Sequence, residues 1–212
     1  MKKLLLFDFD GVIVDSLKLY EEIVRCSLEA IGTPIIKDRE DFLDLFADNF
    51  YEAMRQEGVD VEAFNRAVER LIPQVDYNRV VPFVDLIPLL EKLRKENILL
   101  IISSNSLAAI KTIISKYRFD HYFEEILGAD FMFSKIDKIN YALEKWNFSR
   151  EDTYFIGDTL GDMKEAKMAG VRTVAVTWGW HSRERLEKAG VDFLFDRPDE
   201  LLVLADPGSD DG

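Results

Sequence analysis

The chain has 212 residues, 48% hydrophobic and 32% charged, with a formal net charge of −13. This composition fits a folded globular protein rather than a disordered one, and the acidity argues against nucleic-acid or anionic-lipid surfaces, which need a basic footprint. No apolar run reaches the ~18 residues that span a bilayer, and the apolar start breaks at Asp8, too early for a secretory leader; a cytoplasmic protein with no membrane or nucleic-acid partner is expected.

The first element is the run Leu4–Phe7, which ends in Asp8-Phe9-Asp10-Gly11. A short continuous apolar run reads as a buried parallel strand, here over residues 4–8. Asp15 or Ser16 is a candidate N-cap for a helix carrying Leu17, Tyr20, Ile23, Val24, Leu28 and Ile31 at helical spacing. The lone Cys26 excludes an internal disulfide, and its amphipathic setting predicts a core thiol. Further helices are expected at about 38–47, 49–57 and 60–72, with no strand alternation between 16 and 75. From residue 80 the pattern changes to helix 85–95, strand 98–102, helix 106–117, strand 126–127, helix 137–146, strand 154–156, a helix to Ala169, strand 173–176, helix 182–189, strand 193–195 and a terminal helix 198–204. Alternation of this kind predicts an α/β three-layer, Rossmann-like core with a parallel sheet. The helical block then reads as a small all-helical domain inserted after the first strand. The expected division is core 1–14 and 80–206, insert 15–79 with hinges at 13–17 and 78–84, and a disordered acidic tail 207–212.

Three strands end in polar groups. Strand one gives Asp8 and Asp10, the strand at 98–102 gives Ser103, Ser104 and Asn105, and the strand at 154–156 gives Asp158 and Asp162. Lys135 and Lys138 lie in the turn before a helix. In open α/β sheets, ligands sit outside the carboxyl ends of the strands. Carboxylates gathered there are costly unless a cation, a proton or a substrate uses them. A site of carboxylates, hydroxyls and a lysine suits Mg²⁺ and a phosphoryl group. An ionised aspartate can attack phosphorus, and a protonated one can supply the leaving oxygen with a proton. Spacing alone leaves open which of Asp8 and Asp10 takes which role.

Asp8-Phe9-Asp10-Gly11-Val12, with Asp15-Ser16 after it, closely resembles the first motif of the haloacid dehalogenase-like hydrolases. Ser104-Asn105 resembles their second motif, Lys135 their third, and Gly157-Asp158-Thr159-Leu160-Gly161-Asp162 their fourth, in the same order along the chain. Gly170-Val171 and Trp178-Gly179 are similar to the phosphoglycolate-phosphatase-like and β-phosphoglucomutase-like branch, in which the helical block is a cap domain. The resemblance implies that Asp8 is a nucleophile that becomes phosphorylated and Asp10 the general acid and base. It implies that Mg²⁺ is held by the Asp8 carboxylate, the Asp10 backbone carbonyl, Asp158 and the nearby Asp162. Ser104 and Lys135 would bind the phosphoryl oxygens, with Asn105 orienting the substrate. Ile136 stands where many relatives have proline, which keeps Lys138 as a rival to Lys135.

The function expected is Mg²⁺-dependent hydrolysis of a small phosphorylated metabolite through an aspartyl-phosphate. A sugar-phosphate mutase using the same aspartate is one alternative; a non-enzymatic phospho-acceptor or regulatory binding module is another. In the helical block, Asn49, Tyr51 and Arg55 lie near a break between helices and are candidates for reading the leaving group, against a plain reading as a solvated loop. Trp178, Trp180 and His181 follow a strand and reach the same rim, His181 reading as an ordinary loop histidine. The substrate and the oligomeric state stay open.

Overall fold

A computed structural model describes residues 2–205, so the tail 207–212 lies outside the described residues. The chain opens with β1 (Leu4–Phe7) and β2 (Val14–Asp15), then runs through α1 (Leu17–Ala30), α2 (Arg39–Asp44), α3 (Phe50–Gln56) and α4 (Val61–Leu71). It returns through β3 (Val81–Pro82), α5 (Ile87–Glu96), β4 (Ile98–Ile102), α6 (Leu107–Tyr117), β5 (Glu125–Leu127) and α7 (Lys135–Trp146). The remainder is β6 (Thr153–Gly157), α8 (Leu160–Ala169), β7 (Arg172–Val176), α9 (Arg183–Glu187) and β8 (Phe193–Phe195). Residues Pro198–Leu204 form a 3₁₀ helix. Among the described residues, no helix is long and apolar enough to cross a membrane.

Six strands form one parallel sheet in the order β5-β4-β1-β6-β7-β8. The chain winds outward from β1 to one side, then returns to wind outward on the other. That reversal falls between β1 and β6, so the loops leaving these two strands diverge and open a crevice at their carboxyl ends. All four residues of β1 are fully buried, which explains their unbroken apolar character. Period-two alternation divides them between two layers. Leu5 and Phe7 join Leu99, Ile101 and Ile156 beneath α5 and α6, whereas Leu4 and Leu6 join Leu100, Ile102 and Phe155 beneath α7 and α8.

The helical block has a third core of its own, built on Val24, Leu28, Phe42, Phe46, Phe50, Met54 and Phe64. The two segments joining it to the sheet are more ordered than plain hinges. Val14 and Asp15 pair antiparallel with Val81 and Pro82 in a two-stranded ribbon. Two-residue strands are below the length at which alternation can be recognised. Cys26 also departs from expectation: it is exposed on α1, not in a core. The amphipathic stripe runs through Leu19, Val24, Ser27 and Leu28 instead.

Candidate active site

Every polar strand end predicted from the sequence lies on the carboxyl rim of the sheet. Asp8 follows β1, and its backbone N–H still donates to Ile156 O at 2.8 Å, as if extending the ladder. The turn after it depends on Gly11, whose φ of +79° lies in the left-handed region. A methyl group at Gly11 would meet Asp158 Oδ2 at 2.1 Å. The turn is thus tight because the Asp158 carboxylate occupies the space where a side chain would be.

Carboxylate oxygens of Asp8, Asp158 and Asp162 lie within 4.8 Å of one another, and all three residues are buried. Asp162 sits in the first turn of α8, where its Oδ2 accepts hydrogen bonds from the backbone N–H groups of Asp158 and Thr159 and from Thr159 Oγ. This reciprocal cap with Thr159 fixes the side chain and leaves Oδ1 directed at Lys135. Asp158 Oδ2 accepts the Trp180 backbone N–H at 2.6 Å, but its Oδ1 is buried with no hydrogen-bond partner among the described residues. A buried carboxylate oxygen left unpaired beside two further carboxylates is a strong electrostatic demand for a cation. An all-oxygen donor set of this kind fits a hard divalent ion.

Lys135 is the cation present in this cluster. Its Nζ donates to Asp8 Oδ2 at 2.7 Å and also to Asp162 Oδ1. Burial would lower the Lys135 pKa, but Asp162 and Asp8 outweigh it and hold the ammonium charged. Burial pushes Asp8 up to about 7, with Lys135 pulling against it and Asp162 adding to the rise. Asp158 is held well above the ordinary carboxylate range by burial and then by Asp162.

Lys138, the rival lysine, does not reach this cluster. It is fully buried one turn further along α7, and its Nζ donates to the Ser103 carbonyl at 2.6 Å. It therefore braces the turn after β4 from below. Burial, then the neighbouring Lys135, lowers its pKa to about 7.

Asp10 stands apart from the three clustered carboxylates. Its Oδ1 accepts from Ser16 Oγ at 2.6 Å and its Oδ2 from Asn105 Nδ2 at 3.1 Å. Burial raises its pKa, and these two hydrogen bonds oppose the rise. Ser16 is the N-cap residue of α1 by position, yet its side chain caps nothing because it is turned to Asp10. Ser104, next to Asn105, offers a hydroxyl that makes no hydrogen bond within the described residues and lines the same cleft as Asp8, Asp10 and Lys135. Helix α6 is capped instead by Ser106, whose Oγ accepts from Ala109 N.

Two candidates from the helical block are not brought to Asp8 and Asp10. Asn49 caps α3, accepting from the N–H groups of Tyr51 and Glu52, and its Nδ2 donates to Glu165 Oε1 at 3.0 Å. Arg55 pairs with Glu52 on a separate outer groove. Tyr51 does reach the site: its hydroxyl donates to Ser104 O at 3.1 Å.

Three supports make contacts that the sequence does not reveal, and of them Glu165 is not a sequence candidate at all. Glu165 accepts from Lys135 N at 2.8 Å as well as from Asn49, tying the start of α7 to α3. The Trp180 ring lies in the aromatic cluster of the helical block, 4.8 Å from Phe46 and 5.3 Å from Tyr20, while its backbone holds Asp158. His181 is fully buried; its Nδ1 accepts from Leu160 N and its Nε2 donates to Leu43 O, each at 3.0 Å. For Trp180 and His181 the sequence signal is their place just after a strand, next to Gly179; Glu165 has none.

A family profile described as haloacid dehalogenase-like hydrolase matches residues 5–176. The chain belongs to this family. Within it, a phosphoglycolate phosphatase from Synechococcus elongatus is 28% identical over 203 residues, covering 93% of this chain and 94% of that one. A pyrophosphatase from Listeria monocytogenes is 24% identical over 208 residues, covering 94% of each. Among solved structures, a haloacid dehalogenase-like family hydrolase from Streptococcus pneumoniae aligns with a TM-score of 0.79 at 22% identity, covering 95% of this chain and 97% of its own. The chain is thus a haloacid dehalogenase-like hydrolase, and its carboxylate cluster lies on the carboxyl rim of the sheet.

Proposed function

We propose that this hydrolase is a Mg²⁺-dependent phosphatase that removes the phosphoryl group from a small phosphomonoester through an aspartyl-phosphate on Asp8. The convergence of Asp8, Asp158 and Asp162 on one another and on Lys135, with Asp10 held to one side, carries the reading. Mg²⁺ would be held by the Asp8 carboxylate, Asp158 and Asp162, with the Asp10 carbonyl completing the set, and would neutralise phosphoryl charge and keep Asp8 ionised.

An Asp8 carboxylate oxygen attacks phosphorus, and the bond between phosphorus and the ester oxygen breaks. Asp10 gives its proton to the departing alkoxide; its raised pKa suits that duty. Asp10, now ionised, takes a proton from a water molecule. That water attacks phosphorus, the bond to Asp8 breaks, and phosphate leaves. Ser16 and Asn105 hold Asp10 in position through both steps. Lys135 and the Ser104 hydroxyl bind the phosphoryl oxygens, the Lys135 ammonium being kept charged by its two carboxylates. Residues 15–79 act as a cap over a core made of 1–14 and 80–206, excluding bulk water and contacting the leaving group.

The test is release of inorganic phosphate from a panel of phosphorylated metabolites with Mg²⁺, wild type beside Asp8→Asn. Wild-type release that is abolished in Asp8→Asn is expected. Release that survives in the variant contradicts the nucleophile, and isomerised ester without free phosphate would favour a mutase.

A further inference from the structure

The phosphoryl cleft opens, past Asp10, Tyr20 and Ser104, into a larger cavity of about 270 Å³ between the helical block and the sheet. A phosphoryl group on Asp8 would direct its ester oxygen past Asp10, so this cavity is where the rest of the substrate goes. Its walls are mostly apolar: Leu19 and Ile23 come from α1, Val68 from α4, and Ile72 from just beyond it, with Phe133 opposite. Several neutral polar groups also face it. Tyr20 and Tyr77 line the cavity with hydroxyls that make no hydrogen bond within the described residues, and Asn65 adds an amide.

Among the described residues, no Lys, Arg or His lines this cavity. Three arginines of the helical block are engaged elsewhere: Arg25 and Arg39 bind Glu21, and Arg79 binds Glu22. The charged groups that do line it are carboxylates, Asp10, Glu69 and Asp130. The N-terminus of α6 is a further source of positive potential, but four donors of that turn are already engaged. Asn105 N donates to Ser103 Oγ, Ser106 N to Asn105 Oδ1, Leu107 N to Asp130 Oδ2 and Ala109 N to Ser106 Oγ. A second anionic group in the substrate would be stripped of water among apolar walls and faced by carboxylates, with no partner.

From this we infer that the substrate is the phosphomonoester of an uncharged alcohol with an apolar or aromatic body and one or two hydroxyl or amide groups. The inference rests on the phosphatase reading above and narrows it. It separates this chain from phosphoglycolate, whose leaving alcohol carries a carboxylate, and from pyrophosphate, whose leaving group is itself an anion. The neutral donors Tyr20, Tyr77 and Asn65 would orient the body, and the apolar walls would supply its affinity.

The experiment compares kcat/KM with Mg²⁺ for 2-phenylethyl phosphate, 2-hydroxyethyl phosphate and 2-phosphoglycolate, with pyrophosphate alongside. The phenylethyl ester should exceed phosphoglycolate by about tenfold or more, with pyrophosphate as poor as phosphoglycolate. Asn65→Lys, which brings an ammonium into the cavity, should narrow that ratio by about tenfold. Because the ratio is taken within one preparation, it does not depend on how much of the variant folds. Equal or better turnover of phosphoglycolate or pyrophosphate by the wild type overturns the inference and leaves the phosphatase standing. No phosphate from any of the esters or from a broader metabolite panel overturns both.

Discussion

Lys135 carries the positive charge of the carboxylate cluster, and Lys135→Met removes it with little change in volume. In the wild type, its ammonium contacts Asp8 Oδ2 at 2.7 Å and also touches Asp162, and all three side chains are at most 9% exposed. Removing one partner of a buried ion pair leaves an uncompensated charge, at a cost of about 3–5 kcal/mol. That is a large fraction of the 5–15 kcal/mol stability typical of a domain. Protonation limits the loss. Asp8 already titrates near 7 with Lys135 present, and without the lysine it rises further. A carboxylate whose folded pKa is raised binds more protons than the unfolded chain between 3.8 and that pKa, so stability falls as pH climbs through the window. The penalty of Lys135→Met should therefore be full near pH 8.5, about 3 kcal/mol or more, and smaller near pH 5.5. Denaturant unfolding in EDTA at the two pH values measures it. Adding Mg²⁺ should stabilise the variant more than the wild type, because the ion then faces carboxylates with no competing ammonium. A variant as stable as wild type in EDTA at pH 8.5 would mean that Lys135 does not compensate the buried carboxylates.

Two further outcomes are expected. Gly11→Ala forces a side chain onto Asp158 Oδ2 in a left-handed turn; it should cost about 2 kcal/mol or more in denaturant unfolding and abolish phosphate release. Burial holds the His181 pKa below 6.5. The unfolded chain then takes up a proton at pH values where the folded one stays neutral, so this contribution is complete above about 6.5 and is lost as pH falls through the folded pKa. His181→Gln, which keeps an acceptor for Leu160 N and a donor for Leu43 O, should flatten that acid limb in pH-dependent unfolding, whereas an unchanged limb would count against it.

Much of this was legible in the amino-acid order. The run Leu4–Phe7 announces a strand buried on both faces, Asp8 and Asp158 follow from where apolar runs stop, and Lys135 stands in the turn before a helical pattern. What stayed hidden depends on contacts between distant segments. Ser16 reads as a helix cap because capping is a local rule, but a buried carboxylate six residues earlier takes its hydroxyl. Asn49 and Arg55 read as candidates for leaving-group contact because they flank a helix break; the fold turns them toward Glu165 and Glu52. Trp180 and His181 could be placed near the rim from the strand before them, with His181 reading as an ordinary loop histidine. Their roles appear only when the helical block lies against that loop, placing Leu43 and Phe46 within reach. The cavity beyond Asp10 is likewise invisible in one dimension, because its walls come from α1, α4 and the loops after β4 and β5.

In the proposed reaction Asp8 takes the phosphoryl group. Rapid acid quench of the enzyme during turnover with Mg²⁺, followed by peptide mass spectrometry, tests it most directly. The mass of one phosphoryl group should appear on the peptide that contains Asp8, be lost on treatment with hydroxylamine, and be absent in Asp8→Asn. Turnover with the modification on another residue, or sustained turnover by Asp8→Asn, would contradict it.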